Sequence, residues 1–186
     1  MTSIRQEAHR ILTELGLEEL LKGYGEPFVS GSYYLDLMTW RDLDIYIDLI
    51  EENRFFQLTF ELAHLLKPHR INYRNEIASG REGKPPGLYS GLYANVFGQE
   101  WKIDLWGLGE ELIERFKEES RQLKNRIHQQ GRKAVVLAIK ERFCHHPLYR
   151  RQFFSMDIYN SVIHHGVQSV EGFSDWLSTN KGVNLG

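Results

Sequence analysis

The amino-acid sequence predicts an α+β domain with a mixed β-sheet and helices on one face of that sheet, followed by a C-terminal helical region. Up to about residue 107, segments with helical spacing of apolar residues alternate with short segments in which polar and apolar residues alternate, as in strands. After Gly109 the composition becomes strongly helical. We therefore predict two parts, 1–107 and 108–186.

The first part is predicted to begin with a helix over 3–21, because apolar residues recur there at helical spacing and Gly23 and Gly25 can end it. Asn53 is a candidate N-cap for a helix that reaches residue 66, and Pro68 stops it. The remaining elements are strands at 27–29, 42–49 and 69–77, a short helix at 33–40, a loop at 79–87, and a hairpin of 88–97 and 101–106 that turns at 98–99.

The second part is predicted to be helical throughout. One helical stretch covers 110–144 and is interrupted near Gly131, and Pro147 breaks the pattern. A further helix follows over 149–164, and Ser169 caps a last helix that runs to residue 177.

Composition excludes several classes of protein. No apolar run approaches the roughly 20 residues that cross a bilayer, and the polar start of the chain does not resemble a signal peptide, so we expect no membrane partner. The single cysteine, Cys144, allows no disulfide within the chain, which fits a cytoplasmic location. A net charge of −2 does not favour a broad electrostatic grip on nucleic acid.

Two carboxylates lie two residues apart on the predicted strand 42–49. Side chains alternate between the faces of a strand, so Leu43, Ile45 and Ile47 point into a core while Asp42 and Asp44 point the other way together. Two bare carboxylates on one face repel each other, and a divalent cation removes that cost. Magnesium prefers such hard oxygen ligands, together with phosphate oxygens of a substrate.

A third carboxylate lies on the later strand 101–106, where Lys102 and Asp104 share one face and Ile103 and Leu105 the other. If this strand lies beside the first acidic strand with matching faces, Asp104 joins the pair. Three carboxylates can hold two metal ions about 3.5–4 Å apart, the spacing used for in-line phosphoryl transfer.

Gly31 and Ser32 follow the short strand at 27–29. A glycine there lets the backbone approach an anion closely, and the amide and hydroxyl of a serine at the start of a helix can hold a phosphate. Arg41 and Lys102 lie next to the acids in sequence, and either can neutralise phosphate charge. The alternative for both is an ordinary surface ion pair.

With Gly31-Ser32, nine intervening residues, Asp42-Leu43-Asp44 and a distant third acid, the chain resembles the DNA-polymerase-β-like nucleotidyltransferases. The resemblance covers about residues 20–107, so that 1–107 would be the nucleotidyltransferase core. It implies that Asp42, Asp44 and Asp104 are the catalytic and metal-binding residues, that two Mg²⁺ ions are the cofactors, and that Gly31-Ser32 touch the phosphates of an NTP. Arg41 and Lys102 are then further nucleotide-binding candidates.

The implied reaction moves a nucleoside monophosphate, AMP if the substrate is ATP, from an NTP to a hydroxyl of an acceptor. Small bacterial members of the superfamily suggest a small, antibiotic-like acceptor, whereas nucleic acid is not favoured. The acceptor pocket is expected between the sheet and the helical tail, or at the interface of a homodimer. Two alternatives stay open: a non-catalytic nucleotide-binding or regulatory protein, and a toxin–antitoxin transferase that modifies protein or tRNA.

Overall fold

The computed structural model describes residues 3–185. The chain forms two compact units, Met1–Ser120 and Arg121–Gly186, and the boundary between them falls inside one long helix. None of the helices in the described part combines the length and the apolar character that a membrane crossing requires. The division predicted from composition, 1–107 and 108–186, remains a prediction about which part is the catalytic core.

The first unit contains a five-stranded mixed sheet, as the sequence predicted. Its strands lie in the order β1-β2-β5-β4-β3, and only β2 and β5 pair in parallel. Their bounds are β1 Phe28–Val29, β2 Asp42–Asp48, β3 Arg70–Asn75, β4 Leu88–Val96 and β5 Gln99–Leu108. The parallel pairing of β2 with β5 places the two acidic strands side by side at the middle of the sheet.

One face of this sheet carries the hydrophobic core. There the odd-numbered residues of β2 pack with aliphatic and aromatic side chains of three helices. The helices of this unit are α1 Ile4–Thr13, α2 Leu17–Lys22, α3 Gly31–Tyr34, α4 Glu52–Leu66, α5 Glu76–Ser79 and the start of α6 Glu110–Gln129. Because α1, α2 and α4 supply the core contacts, the even-numbered residues of β2 are left on the opposite face.

The N-terminal segment differs from the single helix predicted over 3–21. α1 ends at Thr13, and Gly16, which adopts a left-handed backbone conformation with φ of 81°, is the N-cap of a second helix, α2. The predicted helix at 33–40 is also wrong in its bounds: α3 starts at Gly31, and Asp36 with φ of 58° prevents its continuation. Glu51, and not Asn53, caps α4, because its carboxylate accepts the amides of Asn53 and Arg54.

Two further boundaries of the sheet differ from prediction. Strand β3 ends at Asn75, whose side chain caps the short helix α5 by accepting the amide of Ala78 at 2.9 Å. The hairpin turns at Phe97 and Gly98, one residue before the predicted position, and both have positive φ, 52° and 77°. This is the backbone pattern of a two-residue turn that matches the twist of the flanking strands.

The second unit is helical. It holds the end of α6, then α7 Lys133–Phe143, α8 Ser155–His164 and α9 Val170–Lys181. The predicted interruption near Gly131, which has φ of 63°, and the Ser169 cap of the last helix are confirmed. The helix predicted from residue 149 begins at Ser155 instead, because Arg150 has φ of 65° and stops any helix there.

Candidate metal and nucleotide site

Strand pairing brings the three predicted carboxylates together. In the parallel ladder of β2 and β5, Asp42 lies opposite Lys102 and Asp44 lies opposite Asp104. One oxygen from each of Asp42, Asp44 and Asp104 lies within 4.8 Å of the others. The pairing on which the third acid depended is therefore present, and the acids form a single cluster.

This cluster is shielded from solvent. The whole residues Asp42 and Asp104 are only 6% and 7% exposed, and Asp44 is half-buried. Three carboxylates this close and this buried repel one another unless cations neutralise them. Carboxylate oxygens are the donors that Mg²⁺ prefers, so the chemistry of this set fits a divalent ion together with phosphate oxygens from a substrate.

Gly31 faces the acid cluster across a very short distance. Its φ is 58°, and a Cβ built on it would lie 2.1 Å from Asp44 Oδ2. The preceding amide, that of Ser30, donates a 2.8 Å hydrogen bond to the carbonyl of Asp44. Only glycine therefore fits at this position, and the turn is fixed against the strand that carries two of the acids.

Ser32 is the second residue of α3, directly after Gly31. Its carbonyl accepts the amide of Leu37 at 2.8 Å, which closes the turn after this short helix. The structure thus places Ser32 beside the glycine that faces Asp44, and its contact with a phosphate remains a prediction.

The two predicted phosphate-binding cations already have carboxylate partners. Lys102 Nζ contacts Asp104 Oδ2. Burial of this ammonium lowers its pKa, but attraction to Asp42 and Asp104 outweighs that effect, so the pKa of Lys102 is raised overall. Arg41 instead forms a two-pronged ion pair with Glu7 of α1, at 2.7 and 3.1 Å. Phosphate contact by either residue remains a prediction.

Tyr89 and Gly91 of β4 belong to the site, although the sequence analysis did not select them. The Tyr89 hydroxyl donates a 2.5 Å hydrogen bond to Asp104 Oδ1. Gly91 lies opposite Asp104 in the ladder, and a Cβ on it would lie 2.3 Å from the Tyr89 hydroxyl. Strand alternation in the hairpin was the signal that could have found them, since it places both on the face of Asp104.

Tyr46 lies on the acidic face of β2 but packs among aromatic rings. Its ring centroid is 6.1 Å from that of Phe28 and 5.4 Å from that of Phe116 in α6. Burial, followed by the nearby charge of Asp44, raises the pKa of Tyr46 to about 12. Its hydroxyl is therefore neutral near neutral pH, and it adds no charge to the acid cluster.

A glycine turn that faces an Asp-x-Asp strand, with a third acid on the parallel neighbouring strand of a mixed sheet, defines a class of fold. The chain has the DNA-polymerase-β-like nucleotidyltransferase fold. The resemblance seen in the sequence is confirmed at this level.

Two solved structures share this fold with the chain. One is Cid1 poly(U) polymerase with magnesium and 3′-dATP bound, with a TM-score of 0.60, 16% sequence identity, and coverage of 85% of this chain and 48% of that one. The other is a cytoplasmic RNA terminal U-transferase, with a TM-score of 0.53, 17% identity, and coverage of 87% and 47%. The chain spans about half the length of these structures. Comparison of the sequence with protein-family models and with curated proteins finds no match.

Proposed function

We propose that the chain is a metal-dependent nucleotidyltransferase that moves a nucleoside monophosphate from an NTP to an acceptor hydroxyl and releases pyrophosphate. The observation that carries this proposal is the cluster of Asp42, Asp44 and Asp104, with one oxygen from each within 4.8 Å of the others. The close approach of Gly31 to Asp44 supports it, because it holds the Gly31-Ser32 turn, whose backbone can approach a phosphate, against the acids.

Each residue of the cluster has a role in this reaction. Asp42 and Asp44 bind Mg²⁺ and orient the triphosphate, while Gly31 and Ser32 hold its terminal phosphates. Asp104 would bind the catalytic Mg²⁺ and accept the proton of the attacking hydroxyl. Bound Mg²⁺ neutralises the charge that develops on the phosphoryl oxygens. The acceptor oxygen bonds to the α-phosphorus as the bond from that phosphorus to the bridging oxygen breaks, and pyrophosphate leaves.

The nucleotide and the acceptor are finer parts of the proposal. We favour ATP as donor. We favour a small, antibiotic-like hydroxyl compound as acceptor, since a net charge of −2 provides little general attraction for nucleic acid. RNA is the second candidate acceptor, because the two structures of similar fold are a poly(U) polymerase and an RNA terminal U-transferase. A cytoplasmic location belongs to the same proposal.

Pyrophosphate release tests the proposal. The protein would be incubated with Mg²⁺ and each of the four NTPs, against pools of antibiotics, tRNA and short RNA. We expect release with at least one pair, and its loss in Asp42→Asn and Asp44→Asn. Asp48→Asn is the matched control, because Asp48 lies at the exposed end of the same strand.

The outcomes separate the alternatives. Full turnover in the Asp42→Asn, Asp44→Asn double variant would overturn the assignment. If ATP binds in a magnesium-dependent way but no pyrophosphate is released in the presence of any acceptor pool, the alternative of a non-catalytic nucleotide-binding protein is favoured.

A further inference from the structure

The carboxylate of Asp104 is held on both of its oxygens by side chains of the sheet. Tyr89 donates its hydroxyl to Oδ1 at 2.5 Å, and Lys102 contacts Oδ2 through Nζ. The two donors differ in conformational freedom. A lysine ammonium ends a flexible four-carbon chain, whereas a phenol hydroxyl is fixed once its ring is packed.

The ring of Tyr89 is packed on its neighbours. The guanidinium carbon of Arg74, on β3, lies 3.9 Å from the ring centroid, and the ring of Trp106 lies 4.9 Å away, centroid to centroid. Arg74 is itself held by a 3.0 Å contact from Nε to Glu76 Oε1. Residues of three adjacent strands therefore fix the direction from which the hydroxyl reaches Asp104.

Gly91 provides the space for this hydrogen bond. It lies on β4, two residues after Tyr89 and directly opposite Asp104 of β5. Its φ is not positive, so the backbone conformation does not itself require glycine. A Cβ there would lie 2.3 Å from the Tyr89 hydroxyl and 3.3 Å from Asp104 Oδ1. Glycine is therefore needed at this position because a larger residue would collide with the hydrogen-bonded pair of Tyr89 and Asp104.

We infer that Tyr89 is a positioning residue, which, with Gly91, holds the carboxylate of Asp104 in the orientation that binds the metal ion. The inference rests on the proposed function, since it assigns Asp104 to metal binding. Removal of a residue that orients a metal ligand typically weakens metal binding about 10–100-fold. Tyr89 touches neither nucleotide nor acceptor in this role, so its effect passes through Asp104 alone.

Binding of Mn²⁺ alone, followed by electron paramagnetic resonance, tests the inference without any need for an acceptor. We expect Tyr89→Phe to weaken Mn²⁺ binding about 10–100-fold, and Gly91→Ala to weaken it as well. Tyr93→Phe is the matched control. It removes a hydroxyl from the same face of the same strand, opposite Lys102, and should bind Mn²⁺ like the wild type. In turnover, Tyr89→Phe should lower kcat and leave KM for the NTP close to the wild-type value.

Three results bear on the inference in different ways. Weakened Mn²⁺ binding in Tyr89→Phe, with the melting temperature and Tyr93→Phe unchanged, supports it. Wild-type or tighter Mn²⁺ binding in Tyr89→Phe overturns it and leaves the proposed function standing. A wild-type protein that binds no Mn²⁺ overturns the metal site, and the positioning role with it.

Discussion

Replacement of Gly31 by alanine separates two effects that coincide at this glycine. The first is backbone strain, because φ of 58° in a left-handed conformation costs a residue with a Cβ about 1–2 kcal/mol. The second is a collision, since the new Cβ would lie 2.1 Å from Asp44 Oδ2. Crowding of this kind typically costs about 1–3 kcal/mol more. The total expected loss of stability is about 2–5 kcal/mol.

Gly80→Ala provides a matched control for the strain. Gly80 has φ of 56°, nearly the value at Gly31, and a Cβ there would meet no atom within 4 Å. Its alanine variant should therefore lose only about 1–2 kcal/mol. The difference between the two variants measures the collision with Asp44.

Urea denaturation measures the loss of stability in each variant, and pyrophosphate release measures its turnover. If the Asp44 carboxylate must move by about 1 Å to relieve the collision, turnover of Gly31→Ala should fall about 100-fold. Gly80→Ala should keep its activity. Equal stability losses in the two variants, or a fully active Gly31→Ala, would show that Gly31 is not fitted closely against the acid cluster.

Two further predictions concern the fold around the site. Gly107→Ala should be strongly destabilising in urea denaturation, because its Cβ would lie 2.0 Å from the carbonyl oxygen of Leu49, a backbone atom that cannot easily move. A free energy of unfolding within about 0.5 kcal/mol of the wild-type value would contradict this. A hydrogen bond from Ser79, aided by Arg81, lowers the pKa of Glu76. A lowered carboxyl pKa stabilises the fold above the unfolded value of 4.5, and this contribution is lost as the pH falls through the folded value. Glu76→Gln should therefore flatten the acid-side decline of stability, and an unchanged decline would count against it.

Strand alternation was sufficient to predict which side chains face away from the core. It placed Asp42 and Asp44 on one face of β2 and Asp104 on one face of β5, and the parallel pairing then brought Asp104 opposite Asp44. The pairing itself required the resemblance to a known fold, because two strands separated by fifty residues carry no local signal of their order.

The hairpin shows why Tyr89 was missed. A turn at 98–99 would have placed Tyr93 opposite Asp104, whereas the observed turn at Phe97 and Gly98 places Gly91 there. Moving a turn by one residue shifts the register by two, so the face is preserved but the neighbours change. The predicted face of each side chain therefore stays correct despite the misplaced turn, but the predicted cross-strand neighbours are wrong.

Local sequence patterns did not indicate two other features. The ion pair of Arg41 with Glu7 joins residues 34 positions apart, and nothing near Arg41 in sequence indicates it. α1 ends at Thr13 and Gly16 is the N-cap of α2, although the apolar spacing continues on both sides of Gly16, through Leu15 and Leu17. Periodicity reports which residues are buried and does not report where the backbone changes direction.

A crystal structure grown with Mn²⁺ and a non-hydrolysable NTP analogue would show whether Asp42, Asp44 and Asp104 form the metal and nucleotide site. We expect anomalous scattering peaks for Mn²⁺ in contact with Asp42, Asp44 and Asp104, with the triphosphate beside Gly31. Bound nucleotide elsewhere on the protein, with no Mn²⁺ at these three carboxylates, would contradict it.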